Sequence, residues 1–293
     1  MNVTLFCKLF GISRQAIYQR AKRNESYQKE KQQIVEMTNK IRKQHPKMSG
    51  VKVHRKLSQD LKNRGIKCGR DKFYDVLREE NLLVKYRKRF VKTTQSRHWY
   101  KIYTNLIQEL DINRAEQVWV SDITYIHTKS GFLYLYLITD AYSKQIMGWE
   151  LADNLKTINA ITALKKALKN RRYPERRLIH HSDRGFQYCN PKYTQILKDN
   201  NIEISMTTKY DPYENAVAER VNGILKMEYE IGDGFVGQGD AKREIKHAIW
   251  LYNTDRPHLS CNYLEPERAH ELENFKLKKW TKKHSLNKQC SLN

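Results

Sequence analysis

The pattern of apolar and polar positions along the 293-residue chain changes character once, near residue 110. Before that point apolar residues recur at helical spacing. "VTLFCKLFGISRQAIYQRAKR" predicts a short helix, a turn at Gly11 and a second helix capped by Ser13. "NESYQKEKQQIVEMTNKIRKQHP" predicts a longer helix with Tyr27, Ile34 and Ile41 as a packing stripe, ended by Pro46. "SGVKVHRKLSQDLKNRGIKCGRDKFYDVLREENLL" predicts two more helices around the Gly65 to Gly69 turn, with Val53, Leu57 and Leu61 on one face and Phe73 and Leu77 opposite. The stretch "VKYRKRFVKTTQSRHWYKIY" has no period and mixes basic residues with aromatics, as a linker along a phosphate backbone would.

After residue 110 the period shortens. "QVWVSDITYI", "GFLYLYLITDAYS" and "KQIMGWELA" are β-branched and aromatic, separated by short turns, and predict an antiparallel meander. Helix and strand then alternate: "LKTINAITALKKALKNR" is amphipathic, "RLIHHSD" is a short buried strand, "PKYTQILKDNN" opens on a helix-starting proline, and "IEISMT" is another strand. "ENAVAERVNGILKMEYEI" and "DAKREIKHAIWLYN" read as helices. Three antiparallel strands followed by parallel strands with helices on the faces define a mixed α/β domain behind an all-α front. The expected organisation is a helix-turn-helix and connecting helix over 1–45, a second helix-turn-helix-like domain over 46–84, a basic linker over 85–110, a catalytic core over 111–272 and a basic tail over 273–293.

Charge sharpens this division. The net charge is +23, and residues 1–110 hold 27 Lys and Arg against 9 Asp and Glu, leaving 28 against 23 for the remainder. A basic excess so concentrated points to a polyanion, because each Lys or Arg that neutralises a phosphate releases condensed counterions. In a helix-turn-helix the second helix enters the major groove, which here presents Arg14, Gln15 and Tyr18 near its start. Five scattered cysteines without a C-x-x-C pair suggest neither a disulfide framework nor a zinc ribbon, and no apolar run approaches a membrane span, so a cytoplasmic protein is expected.

Candidate chemistry lies in the carboxylates. Val118, Val120, Asp122, Thr124 and Ile126 share one face of the first strand, and Asp122 interrupts an otherwise apolar or small row. Asp183 ends a later strand in "LIHHSDRGFQY", and Glu219 lies on a helix after it, with 60 and 35 residues intervening. Three carboxylates in this order suit a hard cation, which prefers oxygen ligands and relieves their mutual repulsion. Asp140 in "ITDAYSK" is equally well explained as a turn cap, and His180 and His181 as structural or substrate-contact residues. Arg256 and His258 in "YNTDRPH" either contact DNA or pack the last helix. Gly232, Gly234 and Gly237 spell G-x-G-x-x-G, but after a polar helix rather than a strand, so a mobile loop over 232–239 is expected instead of a dinucleotide site.

Together "WVSDITYI", "HHSDRGFQY", "YDPYENAVAERVNGILK" and "YNTDRPHLS" resemble the D,D-35-E transposases of insertion-sequence family three over most of the chain. Phe186 departs from that pattern, standing where a small residue is common. The resemblance implies a ribonuclease-H-like integrase core in which Asp122, Asp183 and Glu219 are catalytic and hold two Mg2+ ions, with Mn2+ able to substitute. It implies a basic residue seven positions after the glutamate, matched by Lys226, that contacts DNA. It further implies metal-dependent cleavage and strand transfer at element ends, double-stranded DNA as partner, a homo-oligomer on that DNA, and cooperation or fusion with a first-reading-frame protein. A DNA-binding regulator without catalysis is the alternative, and the intact triad opposes it. A nuclease acting on RNA hybrids would explain the core but not the basic front.

Overall fold

The computed structural model describes residues 7, 9–84, 99–129, 131–208, 215–232 and 234–272. The chain forms two compact units, one of Met1–Val91 with Lys226–Glu230 and one of Lys92–Leu225 with Ile231–Asn293. Residues 85–98 of the linker expected over 85–110, and the tail over 273–293, lie outside the described residues.

In the first unit helix α1 runs Arg14–Gln44, and the Ser13 side chain accepts from the Ala16 N–H at 3.1 Å, the expected cap. The two helices expected between residues 14 and 45 are one. No glycine or proline stands between Arg14 and Gln44 to stop it, and Pro46 disfavours helical geometry at His45. Helix α2, Gly50–Asn63, and helix α3, Arg70–Glu79, follow, joined through Gly65 at φ +70°. Ile34 and Met37 of α1 share one core with Val53, Leu57 and Leu61 of α2 and Phe73, Val76 and Leu77 of α3. The second half of α1, in the segment expected as 1–45, therefore packs into one core with the helices of the segment expected as 46–84. Within the same unit the Lys52 ammonium meets the Glu228 carboxylate at 2.9 Å, both buried, and the Lys47 N–H donates to the Glu228 carbonyl at 3.0 Å.

The second unit is built on a five-stranded sheet in the order β3-β2-β1-β4-β5. Its strands are β1 (Val118–Thr128), β2 (Gly131–Asp140), β3 (Ile146–Ala152), β4 (Leu178–Ser182) and β5 (Ile202–Met206). The first three pair antiparallel, while β1 with β4 and β4 with β5 are parallel, the mixed arrangement expected for a ribonuclease-H-like core. The helices are α4 (Thr157–Lys169), α5 (Phe186–Cys189), α6 (Pro191–Asp199), α7 (Ala216–Glu228), α8 (Gln238–Thr254) and α9 (Pro266–Glu271). One face of the sheet packs Trp119, Tyr136, Ile138 and Met147 against α4 and α6. The other packs Val118, Val120 and Ile179 against Ala218 of α7. The glycine-rich stretch is anchored at Phe235, which pairs with Thr128 and accepts from the Lys129 N–H at 2.9 Å.

Asp140 is a cap, as one of its two sequence readings held. It accepts from the N–H groups of Glu116 (2.7 Å), Tyr142 (3.1 Å) and Ser143 (2.8 Å). Glu116, equally buried, accepts from the Arg172 N–H at 2.6 Å and the Arg171 guanidinium at 3.2 Å. His270 of α9 bridges the two, 3.3 Å from Glu116 and 2.9 Å from the Ser143 hydroxyl that itself donates to Asp140. Burial alone would lower the His270 pKa, but hydrogen bonds to Asp140 and Glu116 outweigh it and push it up to about 9.

Two consequences are measurable. Gly148 of β3 lies so close to α4 that an added Cβ would sit 2.3 Å from the Ala163 carbonyl and 2.6 Å from the Ala167 nitrogen. Gly148→Ala should destabilise the protein by about 1–3 kcal/mol in denaturant unfolding, by forcing helix and strand apart. The raised pKa of His270 means that its contribution to stability is fully present below about pH 6.5 and lost as pH rises through about 9. The melting-temperature gap between wild type and His270→Asn should be wide at pH 6 and close by pH 9.5.

Candidate active site

Strand β1 presents Asp122 on the face that Val118 and Val120 bury against α7. Strand β4 runs parallel beside it, with Val118 opposite Ile179 and Ser121 opposite Ser182. Residues paired in parallel register point to the same face, so one further step along both strands puts Asp183 beside Asp122. Asp183 turns the chain there: its Oδ1 accepts from the Gly185 N–H at 2.9 Å. A Cβ at 185 would lie 2.9 Å from that same oxygen, so a side chain there would press on the Asp183 carboxylate.

Helix α7 supplies the third carboxylate. Its first turn carries Glu219, exposed overall but with its carboxyl covered enough for desolvation to raise its pKa. Asp122 is half-buried, and its pKa is pushed up to about 7, first by desolvation and then by the charge of Asp183, with Glu219 adding to it. The Ile123 N–H and the Asn222 amide, the latter at 2.6 Å, oppose the rise without cancelling it. Asp122 thus feels the charges of both other carboxylates, although no group of three or more His, Cys, Asp or Glu among the described residues is gathered at metal-ligand spacing.

The two histidines of β4 are structural. His180 is buried between the Ser121 hydroxyl (2.7 Å) and the Tyr193 hydroxyl (2.9 Å), and burial lowers its pKa to about 3, so it stays neutral. His181, also buried, meets the Ser205 hydroxyl at 2.9 Å. Asn222 and Asn215 are the site residues that sequence reasoning missed. Their signal was spacing: they lie three residues after and four before Glu219, hence on its side of the helix.

Arg14, Gln15 and Tyr18 are exposed on the first turns of α1, with Tyr18 64% exposed. Lys226 is half-buried, two turns beyond Glu219 on α7, in the segment that groups with the N-terminal unit. The DNA-contact expectation for Arg256 and His258 is corrected. Arg256 is 1% exposed and stacks its guanidinium over Tyr252 at 5.6 Å; His258 is buried, with its Nδ1 2.8 Å from the Ser260 hydroxyl. Both pack the end of α8, the other role that the sequence allowed, because an enclosed side chain presents no charge to a phosphate.

Comparison with known proteins agrees with this architecture. Residues 112–212 match one integrase core domain model and residues 200–266 match a second. The chain is 32% identical over 272 residues to an insertion element IS600 uncharacterized 31 kDa protein of Shigella sonnei, covering 91% of this chain and 99% of that one. It is also 32% identical over 215 residues to transposase InsF for insertion sequence IS3A of Escherichia coli K12, covering 73% and 74%. Among solved structures, the HTLV-2 integrase catalytic core domain in complex with magnesium aligns with 54% of this chain and 97% of its own at 17% identity and a TM-score of 0.43. With an integrase core matched from residue 112 to 266 and a relative matched almost end to end, the chain belongs to the insertion-sequence transposases of the IS3 family, enzymes of DNA transposition.

Proposed function

We propose that this transposase cuts DNA at the ends of its insertion element and joins them to a target, with Asp122, Asp183 and Glu219 as the reactive carboxylates. The observation that carries the reading is the Asp122 pKa, held at about 7 by desolvation and by the charges of Asp183 and Glu219. A carboxyl whose pKa is raised by burial and by two neighbouring carboxylates is poorly stabilised as a lone anion and well suited to a divalent cation. The donor set fits hard cations, since it offers carboxylate oxygens while both β4 histidines are engaged elsewhere. Asp122, Asp183 and Glu219 would together hold two magnesium or manganese ions. When bound, such ions supply Lewis acidity to the attacking and leaving oxygens of an in-line displacement.

The protein's own residues then orient the DNA. In cleavage an oxygen of water forms a new bond to phosphorus as the DNA 3′ oxygen departs. In joining, that 3′ hydroxyl attacks a target phosphodiester, so one ester is exchanged for another and no nucleotide cofactor is consumed. Lys226 positions a phosphate beside the reacting one. The exposed start of α1 reads base edges through Arg14, Gln15 and Tyr18. The assembly is a homo-oligomer on double-stranded element ends and target, acting with or fused to a first-reading-frame product at the bacterial nucleoid. No helix among the described residues is long and apolar enough to cross a membrane.

Asp122→Asn, Asp183→Asn and Glu219→Gln should each abolish cleavage and joining of element-end DNA in magnesium while leaving the melting temperature and DNA affinity nearly unchanged. Turnover close to wild type in any of the three rejects the assignment. For the DNA contacts, Arg14→Ala or Gln15→Ala should lower discrimination between element-end and unrelated duplexes by roughly 5- to 100-fold in competition binding. Lys226→Ala should instead weaken both kinds of binding, reduce the salt slope by about one and slow joining, and Lys226→Arg should restore most of it.

A further inference from the structure

Helix α7 is tied to strand β1 on both sides of Glu219. The Asn215 amide donates to the Ser121 carbonyl at 3.1 Å, and the Asn222 amide donates to Asp122 Oδ2 at 2.6 Å. Both asparagines are buried, Asn222 with 6% of its surface exposed. The nitrogen end of Asn222 faces Asp122 and donates to it. Its other end, Oδ1, meets no hydrogen-bond partner among the described residues.

That imbalance carries information. A buried amide with one end unmet carries a stability cost at that end which an apolar side chain would not incur there. Packing alone therefore does not account for asparagine at 222. The bond to Asp122 does, because a carboxylate on a strand edge otherwise rotates about its side-chain torsions, and one short hydrogen bond fixes one of its oxygens.

We propose that Asn222 is a positioning residue for the reaction: it locks Oδ2 of Asp122, while Asn215 sets how far along β1 the helix bearing Glu219 lies. The two amides together fix the distance between a carboxylate on the sheet and a carboxylate on the helix. This inference rests on the reading of Asp122 and Glu219 as reactive groups. Partners that orient a ligating carboxylate typically change metal affinity or activity by about 10–100-fold when removed.

The test uses the full-length chain with Asn222→Leu and Asn222→Ala, with Asn222→Gln as the conservative variant and Asp122→Asn as a control. Three quantities are measured: the melting temperature without metal, Mn2+ binding to the DNA-free chain by electron paramagnetic resonance, and the magnesium dependence of end cleavage resolved into maximal rate and half-saturating concentration. Expected are Mn2+ dissociation constants and half-saturating magnesium raised by roughly 10–100-fold, melting temperatures lowered too little to unfold the chain at the assay temperature, and partial recovery with glutamine. Wild-type Mn2+ binding and half-saturation in both the leucine and alanine variants would overturn the proposal. So would a fall in melting temperature that accounts for the lost activity and is not relieved by glutamine. If Asp122→Asn itself cleaves normally, the carboxylate reading has failed; if it is inactive while Asn222→Leu is unaffected, only the role of Asn222 has.

Discussion

Parallel pairing of β1 with β4 brings Asp122 and Asp183 to one face of adjoining strands, and two like charges at strand spacing repel. At an effective dielectric of about 20, unit charges about 5 Å apart oppose one another by on the order of 3 kcal/mol. Burial of Asp122 is the larger cause and this repulsion adds to it, so that its pKa is pushed up to about 7. The fold holds this unfavourable arrangement because the rest of the sheet over-determines it. Val118, Val120 and Ile179 are locked under Ala218, so neither strand can slip without exposing apolar surface.

The same domain contains a second pair of buried carboxylates with the opposite electrostatics. Burial would raise both Asp140 and Glu116, yet hydrogen bonds from His270 and from backbone N–H groups win, and both pKa values are lowered. The difference is the number of donors: Asp140 and Glu116 are enclosed by them, while Asp122 has the Ile123 N–H and Asn222 against two neighbouring negative charges. A lowered pair pins α9 to the sheet. Asp122, inside β1, has too few donors to offset its burial and its neighbours, and its pKa is raised.

Helix α7 makes the site possible through small and amide side chains. Ala218 lets the helix approach the apolar row of β1, and Asn215 and Asn222 satisfy polar atoms of Ser121 and Asp122 that the approach would otherwise strand. Larger residues at these positions would fill the gap between sheet and helix across which Asp122 and Glu219 act on each other.

The sequence by itself determined what depends on neighbours a few residues away. Alternation along "QVWVSDITYI" placed Asp122 on the buried face of β1, Ser13 and Pro46 bounded α1, and Pro191 started α6. These are readable because strand and helix periods are local properties of the backbone. Motif spacing added Asp183 and Glu219, but not what their nearness does to Asp122. Tertiary structure alone decided the rest. It packed the second half of α1 into one core with the helices of 46–84, buried Arg256 and His258, joined His270 to Glu116 across 154 positions, and set Asn222 against Asp122 across 100. No local pattern records these outcomes, because desolvation and long-range hydrogen bonding depend on which distant segment comes to cover a residue, and that is settled only when the sheet and helices pack.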